Sequence, residues 1–141
     1  MGLAKRSCRI TLKGHNSTVV HIAKINGTQI VSVGQDSITN IWDYQFGMLL
    51  QSFVGEGYAL KLSNNRIACG KHIYINIMYM SGQNLISLRG HSDIVACVIK
   101  LNRTQIASGS NDKSIMIWDF IKGSCLMTLM VIFIILGKLF R

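Results

Sequence analysis

Two sets of residues have the types and spacing for hydrolytic chemistry. Ser32, His15 and Asp36 offer a nucleophile, a base and a carboxylate, and Ser108, His91 and Asp112 repeat them at identical separations. A serine nucleophile needs an exposed oxygen at a cleft, beside donors that can hold an oxyanion. Neither serine meets this condition, because each sits inside an apolar run, "IVSV" or "IASG", and neither run forms a nucleophile elbow. Hydrogen-bonding capacity offers another role. Trp N–H only donates, an ionised carboxylate only accepts, and Ser and His do both. The sequences Trp42–Ser32–His15–Asp36 and Trp118–Ser108–His91–Asp112 can each be satisfied from end to end. These eight residues are expected to form two structural tetrads, with no catalytic residue among them.

The elements that would position them are stated twice. "GHNSTVVHIAKINGTQIVSVGQDSITNIWD" begins at Gly14, and "GHSDIVACVIKLNRTQIASGSNDKSIMIWD" begins at Gly90, a shift of 76 residues with no gap. A degenerate copy lies between them. "YALKLSNNRIACG" follows the same apolar rhythm and "YMSGQNLISL" imitates "YQFGMLLQSF". This copy lacks Gly-His, shortens the tight turn to "GKH", and has Met78 and Tyr79 where Trp-Asp would stand. With burial of large apolar side chains, about 1.5–3 kcal/mol each, as its only support, it is expected to be the softest unit. "SCRITL" at 7–12 matches "SCLMTL" at 124–129 and reads as an orphan strand.

Within each unit the pattern is that of strands. "VVHIAKI" and "IVACVIKL" are short β-branched runs, "NGTQ" and "NRTQ" suit hairpin turns, and "QDS" and "NDK" are tight turns before "ITNIW" and "SIMIW". A fourth strand follows Gly47, Gly82 or Gly123, and no helical period competes. Each unit is predicted to be a four-stranded antiparallel meander.

Gly-His, the turn aspartate and Trp-Asp at fixed spacing resemble the WD-repeat family over about residues 7–129. The resemblance implies an all-β fold of β-propeller blades, and a tetrad at the positions named above. The expected organisation is an N-terminal outer strand at 1–13, repeats at 14–53, 54–88 (degenerate) and 89–129, and an apolar tail at 130–141. Three blades are fewer than the four to eight of typical propellers, so an incomplete, truncated or split propeller is expected. Its open edges invite self-association. The implied function is a non-catalytic protein-interaction module or scaffold, the alternative being a non-functional fragment of a larger WD protein. The connections "NGTQ" and "NRTQ" also resemble substrate-reading propellers of ubiquitin-ligase receptors, although the residues before Gly14 leave no room for an F-box.

Composition bounds the partners. Fifteen Lys and Arg against six Asp and Glu give a net charge of +9, but the cations are scattered along the chain, so nucleic acid is not the expected partner. Lys13, Asn16, Gln35, Lys71, His72, Arg89, Ser92, Asn111 and Lys113 flank the Gly-His loops and tight turns. They would form a basic, amide-rich rim suited to an acidic or phosphorylated peptide. Cys8, Cys69, Cys97 and Cys125 show no metal-ligand spacing and read as reduced, mostly buried thiols in a cytoplasmic or nuclear chain. No metal or cofactor is expected. The apolar run in the tail is short for a bilayer span and reads as an overrunning strand, with a membrane anchor through Lys138 and Arg141 as the lesser alternative.

Overall fold

A computed structural model describes residues 6–130. Among these residues, twelve strands form three four-stranded antiparallel sheets, with no helix. The first sheet holds β1 (Val19–Lys24), β2 (Gln29–Gly34), β3 (Ile38–Asp43) and β4 (Met48–Val54). The second holds β5 (Ala59–Lys61), β6 (Arg66–Lys71), β7 (Tyr74–Tyr79) and β8 (Asn84–Arg89). The third holds β9 (Val95–Lys100), β10 (Gln105–Ser110), β11 (Ser114–Asp119) and β12 (Ser124–Met130). Every sheet is a simple meander in chain order. The predicted tail beyond Met130 and the first five residues lie outside the described residues.

Local chemistry fixes the hairpins. Asn26 Oδ1 accepts from the backbone N–H groups of Thr28 and Gln29, and Asn102 Oδ1 does the same for Thr104 and Gln105. An asparagine that satisfies the next turn's amides closes a reversal that the strands then extend. In each sheet the pairing of the last two strands slips by one residue, at Ile41/Trp42, Ile77/Met78 and Ile117/Trp118. The bulge is kept in the middle unit although its tryptophan is absent, so it belongs to the meander and not to the motif.

The sheets stack face to face. Val31, Val33 and Ile41 of the first pack on Ala59, Ile67, Cys69 and Met78 of the second. Ala68, Ile75, Ile77 and Leu88 of the second pack on Val95, Ile106, Trp118 and Phe120 of the third. Ile67 and Cys69 face one neighbour while Ala68 between them faces the other, the period of a strand buried on both sides. The middle sheet has both faces covered and supplies half of the buried apolar residues of the described chain. Its neighbours therefore provide the burial that its own motif residues do not, and this runs against the expectation that it is the softest unit. It is not free of cost, because the buried Tyr58 hydroxyl finds no hydrogen-bond partner among the described residues.

Two other expectations change here. Residues 7–12 pair with no sheet among the described residues. Yet Ile10 Cγ2 comes within 3.4 Å of where a Cβ on Gly47 would stand, and Ile86 Cγ2 of β8 comes within 3.1 Å of the same point on Gly123. Ile10 and Gly47 map onto Ile86 and Gly123 under the same 76-residue shift. The segment thus lies beside Gly47 as β8 lies beside Gly123, with no strand partner among the described residues. The cysteines are also not mostly buried: only Cys69 is, and Cys8, Cys97 and Cys125 are exposed. Cys97 lies on the uncovered face of the third sheet, and Cys125 lies on an outer strand that is exposed throughout.

Replacing Ile77, which is buried between the second and third sheets, with alanine should cost about 2–5 kcal/mol. Chemical denaturation followed by tryptophan fluorescence measures this, with the exposed Phe46→Ala variant staying within about 0.5 kcal/mol of wild type.

Candidate functional site

Trp42 of β3 and Trp118 of β11 lie opposite the bulges, whose extra residues, Leu50 and Leu126, belong to the outer strands. Trp42 Nε1–H donates to Ser32 Oγ at 2.8 Å, and Ser32 Oγ lies 2.7 Å from His15 Nε2. His15 Nδ1 lies 3.1 Å from Asp36 Oδ2. In the third sheet the corresponding distances are 2.8 Å from Trp118 to Ser108, 2.7 Å from Ser108 to His91 and 2.8 Å from His91 to Asp112. A serine hydroxyl that accepts from indole can give its single proton to Nε2, leaving Nδ1–H to donate to the carboxylate. The aspartates reach further. Asp36 accepts from the backbone N–H groups of Asn16 and Ile38, and Asp112 from those of Ser92 and Ser114, tying each Gly-His loop to its tight turn.

Gly14 and Gly90 complete this frame by having no side chain. A Cβ on either would stand 2.9 Å from Cη2 of Trp42 or Trp118. The Gly-His pair therefore reads as two linked requirements: room for the indole, and an imidazole at the next position.

Sequence reasoning missed two participants. Ser114 Oγ donates to Asp112 Oδ1 at 2.6 Å and lies 3.1 Å from His91 Nδ1. The aligned residue in the first unit is Ile38, so the third frame has a fifth polar member. Asn40 sits 3.4 Å from His15 Nε2 and accepts from Ser52 at 2.7 Å, where the third unit has Met116. A comparison of the two copies position by position would have exposed both, since they are polar where the other copy is apolar.

Both serines are shut in, at 5% and 1% exposure for Ser32 and Ser108. With indole on one side and imidazole on the other, neither oxygen is presented to a substrate. Three further groups are held in one protonation state. Burial acts to raise the Asp112 carboxyl, but hydrogen bonds from Ser114, His91 and the Ser92 amide outweigh it and hold the group well below the usual carboxylate range. Asp36 is held low in the same way: burial opposes, and the Asn16 amide, His15 and the Ile38 amide prevail. Burial pushes the Cys69 thiol up to about 12, so it stays protonated.

All nine predicted rim residues emerge at the end of the sheets that carries the Gly-His loops and tight turns. Ser37 in the first tight turn, and the rim residues Lys113 and His72, adopt positive φ of 61°, 70° and 58°. Gln35 N donates to Thr18 O and Asn111 N to Ile94 O, so the turns are pinned to the Gly-His loops. The Arg89 guanidinium stacks 4.1 Å from the centre of the Tyr74 ring. The rim is not basic, however. Lys13, Lys71, Arg89 and Lys113 share it with Asp36, Glu56, Asp93 and Asp112, and His72 Nε2 lies 4.0 Å from Glu56. Counting cations and amides along the sequence passed over the carboxylates between them.

Ser108→Ala should cost about 1–3 kcal/mol by leaving the buried Trp118 N–H without an acceptor. Denaturant midpoints give the value, and loss of a catalytic activity with unchanged stability would overturn the structural role. The aspartates set a pH response. A carboxyl whose folded pKa is depressed stabilises the fold above its unfolded value, about 3.9, and that contribution is lost as pH falls through the folded one. Denaturation midpoints should therefore drop below about pH 4, and Asp112→Asn should reduce that drop.

Comparison with known proteins agrees with this geometry. The family described as "WD domain, G-beta repeat" matches residues 6–43 and 82–119, the two copies that carry tetrads. The DENN domain and WD repeat-containing protein SCD1 of Arabidopsis thaliana is 27% identical over 81% of this chain and 10% of its own length. The nuclear distribution protein nudF 1 of Talaromyces marneffei is 27% identical over 90% of this chain and 30% of its own. The chain thus spans a minor part of the curated relatives it matches. Among solved structures, the WD40 β-propeller domain of Doa1 superposes with a TM-score of 0.79 at 18% identity, covering 86% of this chain and 44% of that one. U3-55K superposes with a TM-score of 0.76 at 22% identity, covering 85% and 41%. Two matched repeats, each closing its own Trp–Ser–His–Asp frame in a four-stranded blade, make this chain a member of the WD-repeat family.

Proposed function

We propose that this chain is a non-catalytic protein-interaction scaffold whose two end blades are themselves binding surfaces for further blades. The WD-repeat relatives support the interaction role, and the enclosed serines argue against hydrolysis. One comparison carries the rest. Val95 and Phe120, on the covered side of the third blade, are 4% and 2% exposed, whereas Val19 and Tyr44, their counterparts on the outer side of the first, are 44% and 37% exposed. At the other end, Ile99 and Leu129 of the third blade are exposed, while their counterparts Ala23 and Phe53 pack against the second. Each end of the stack thus presents a surface of the kind used inside it.

A blade of this family is the fitting occupant, supplied by a second copy or by another WD chain. Exposed apolar faces of this sort are rare on isolated domains and mark association surfaces. Light scattering tests the reading. The purified chain should form concentration-dependent assemblies, and Ile22→Asp with Ile99→Asp should shift them towards the monomer mass. A folded wild-type monomer at every concentration would overturn self-association and leave only a different WD chain as occupant, which mixing with such a chain would detect.

A further inference from the structure

The meander sorts charges that look scattered in the sequence. Each blade has four strands, so the hairpins between its first and second strands and between its third and fourth all emerge at one end, opposite the Gly-His rim. That opposite end gathers cations. Lys24, Lys61 and Lys100 close the innermost strands β1, β5 and β9, one per blade at equivalent positions. The residue after each, Ile25, Leu62 or Leu101, donates its N–H to the carbonyl that opens the next strand. Arg66 and Arg103 stand in or beside the adjoining turns, Lys122 lies in an outer turn, and Arg9 shares a groove with Tyr44 and Gln45 at the same end.

Among the described residues, the seven cations named face two carboxylates, Asp43 and Asp119, and both are engaged as turn caps. Asp43 Oδ1 accepts from the N–H groups of Gln45 and Phe46, and Asp119 Oδ1 from those of Ile121 and Lys122. The Gly-His rim, by contrast, balances four cations against four carboxylates. The asymmetry therefore belongs to one end and not to the chain as a whole. The degenerate middle blade, which has none of the tetrad residues, still carries its inner lysine.

We infer that this hairpin end is a docking surface for an acidic peptide segment bearing apolar side chains. The inference rests on the interaction-scaffold reading above. The three inner lysines follow one another in series, one per consecutive blade, which suits an extended chain. Lys100 shows how they can be held: its Nζ donates to Leu62 O of the neighbouring blade at 2.6 Å, fixing the ammonium across the gap between blades. Phe46, 76% exposed, and the exposed Leu101 and Ile121 lie among the cations and give an acidic segment apolar footholds. Among the described residues, Tyr44 and Phe46 are the exposed aromatic rings of the outer turns, Phe120 being buried, and no row of stacking platforms for bases accompanies the lysines.

Fluorescence anisotropy with a fluorescein-labelled peptide of alternating glutamate and leucine tests this on the full chain. Wild type should bind, and binding should weaken as salt rises. Lys24→Glu with Arg103→Glu should weaken it at least about tenfold, whereas Lys71→Glu with Lys113→Glu, an equal change of charge at the rim, should leave it within about twofold. Lys24→Gln with Arg103→Gln gives a milder pair, and tryptophan emission checks folding. Equal losses from the two ends, no binding by wild type, or binding to phosphatidylserine vesicles or RNA in place of the peptide would each overturn the inference. Light scattering on the same samples keeps the two readings apart: lost assembly with retained peptide binding defeats the blade-face reading alone.

Discussion

A four-stranded antiparallel sheet has two faces and cannot bury either one by itself. Face-to-face contact between consecutive blades is therefore the constraint on which this molecule rests. The middle blade shows its strength, for it forms all four strands without Gly-His, Trp-Asp or a tetrad, held between apolar neighbours on both sides. In the flanking blades the faces turned away from the middle blade leave Val19, Tyr44, Ile99 and Leu129 exposed. Apolar burial scales with area removed from water, so the order of the stack follows from which faces are covered.

The tetrads act at a different level. Their indoles join the apolar core, and their polar groups tie the loop before the first strand, which the strand ladder does not reach, to the second strand, the tight turn and the third strand. A hydrogen-bond network with every member satisfied stiffens such a junction, and its partial loss leaves costly orphans. Gly14 and Gly90 belong to the same device, since a side chain at either would meet the indole.

Much of this was legible in the sequence because the repeat states it twice. The meanders, the Trp–Ser–His–Asp frames and the all-β class follow from spacing and from donor and acceptor types. Ser114 and Asn40 were not read because each is polar in one copy only, so a search for what the copies share passes over them. The charge pattern was misread for a related reason. Lys24, Lys61 and Lys100 lie far apart along the chain, and only strand direction shows that they share an end. The strand expected at 7–12 lacks sheet partners among the described residues, because pairing is a property of a neighbour and not of the segment. Cysteine burial was misjudged on similar grounds: Cys97 lies in a strand like any other, and its exposure depends on what covers the face.

The even number of strands per blade has a consequence of its own. A chain that crosses the molecule four times returns to the end from which it set out, so every unit meets the next with the same polarity. Duplicating a unit then copies its inner lysine to the same end and its tight turn to the other. The two ends can thus diverge independently, one accumulating valence for a ligand with each added unit while the other varies its loops. A unit with three or five strands would have mixed the two ends at every step.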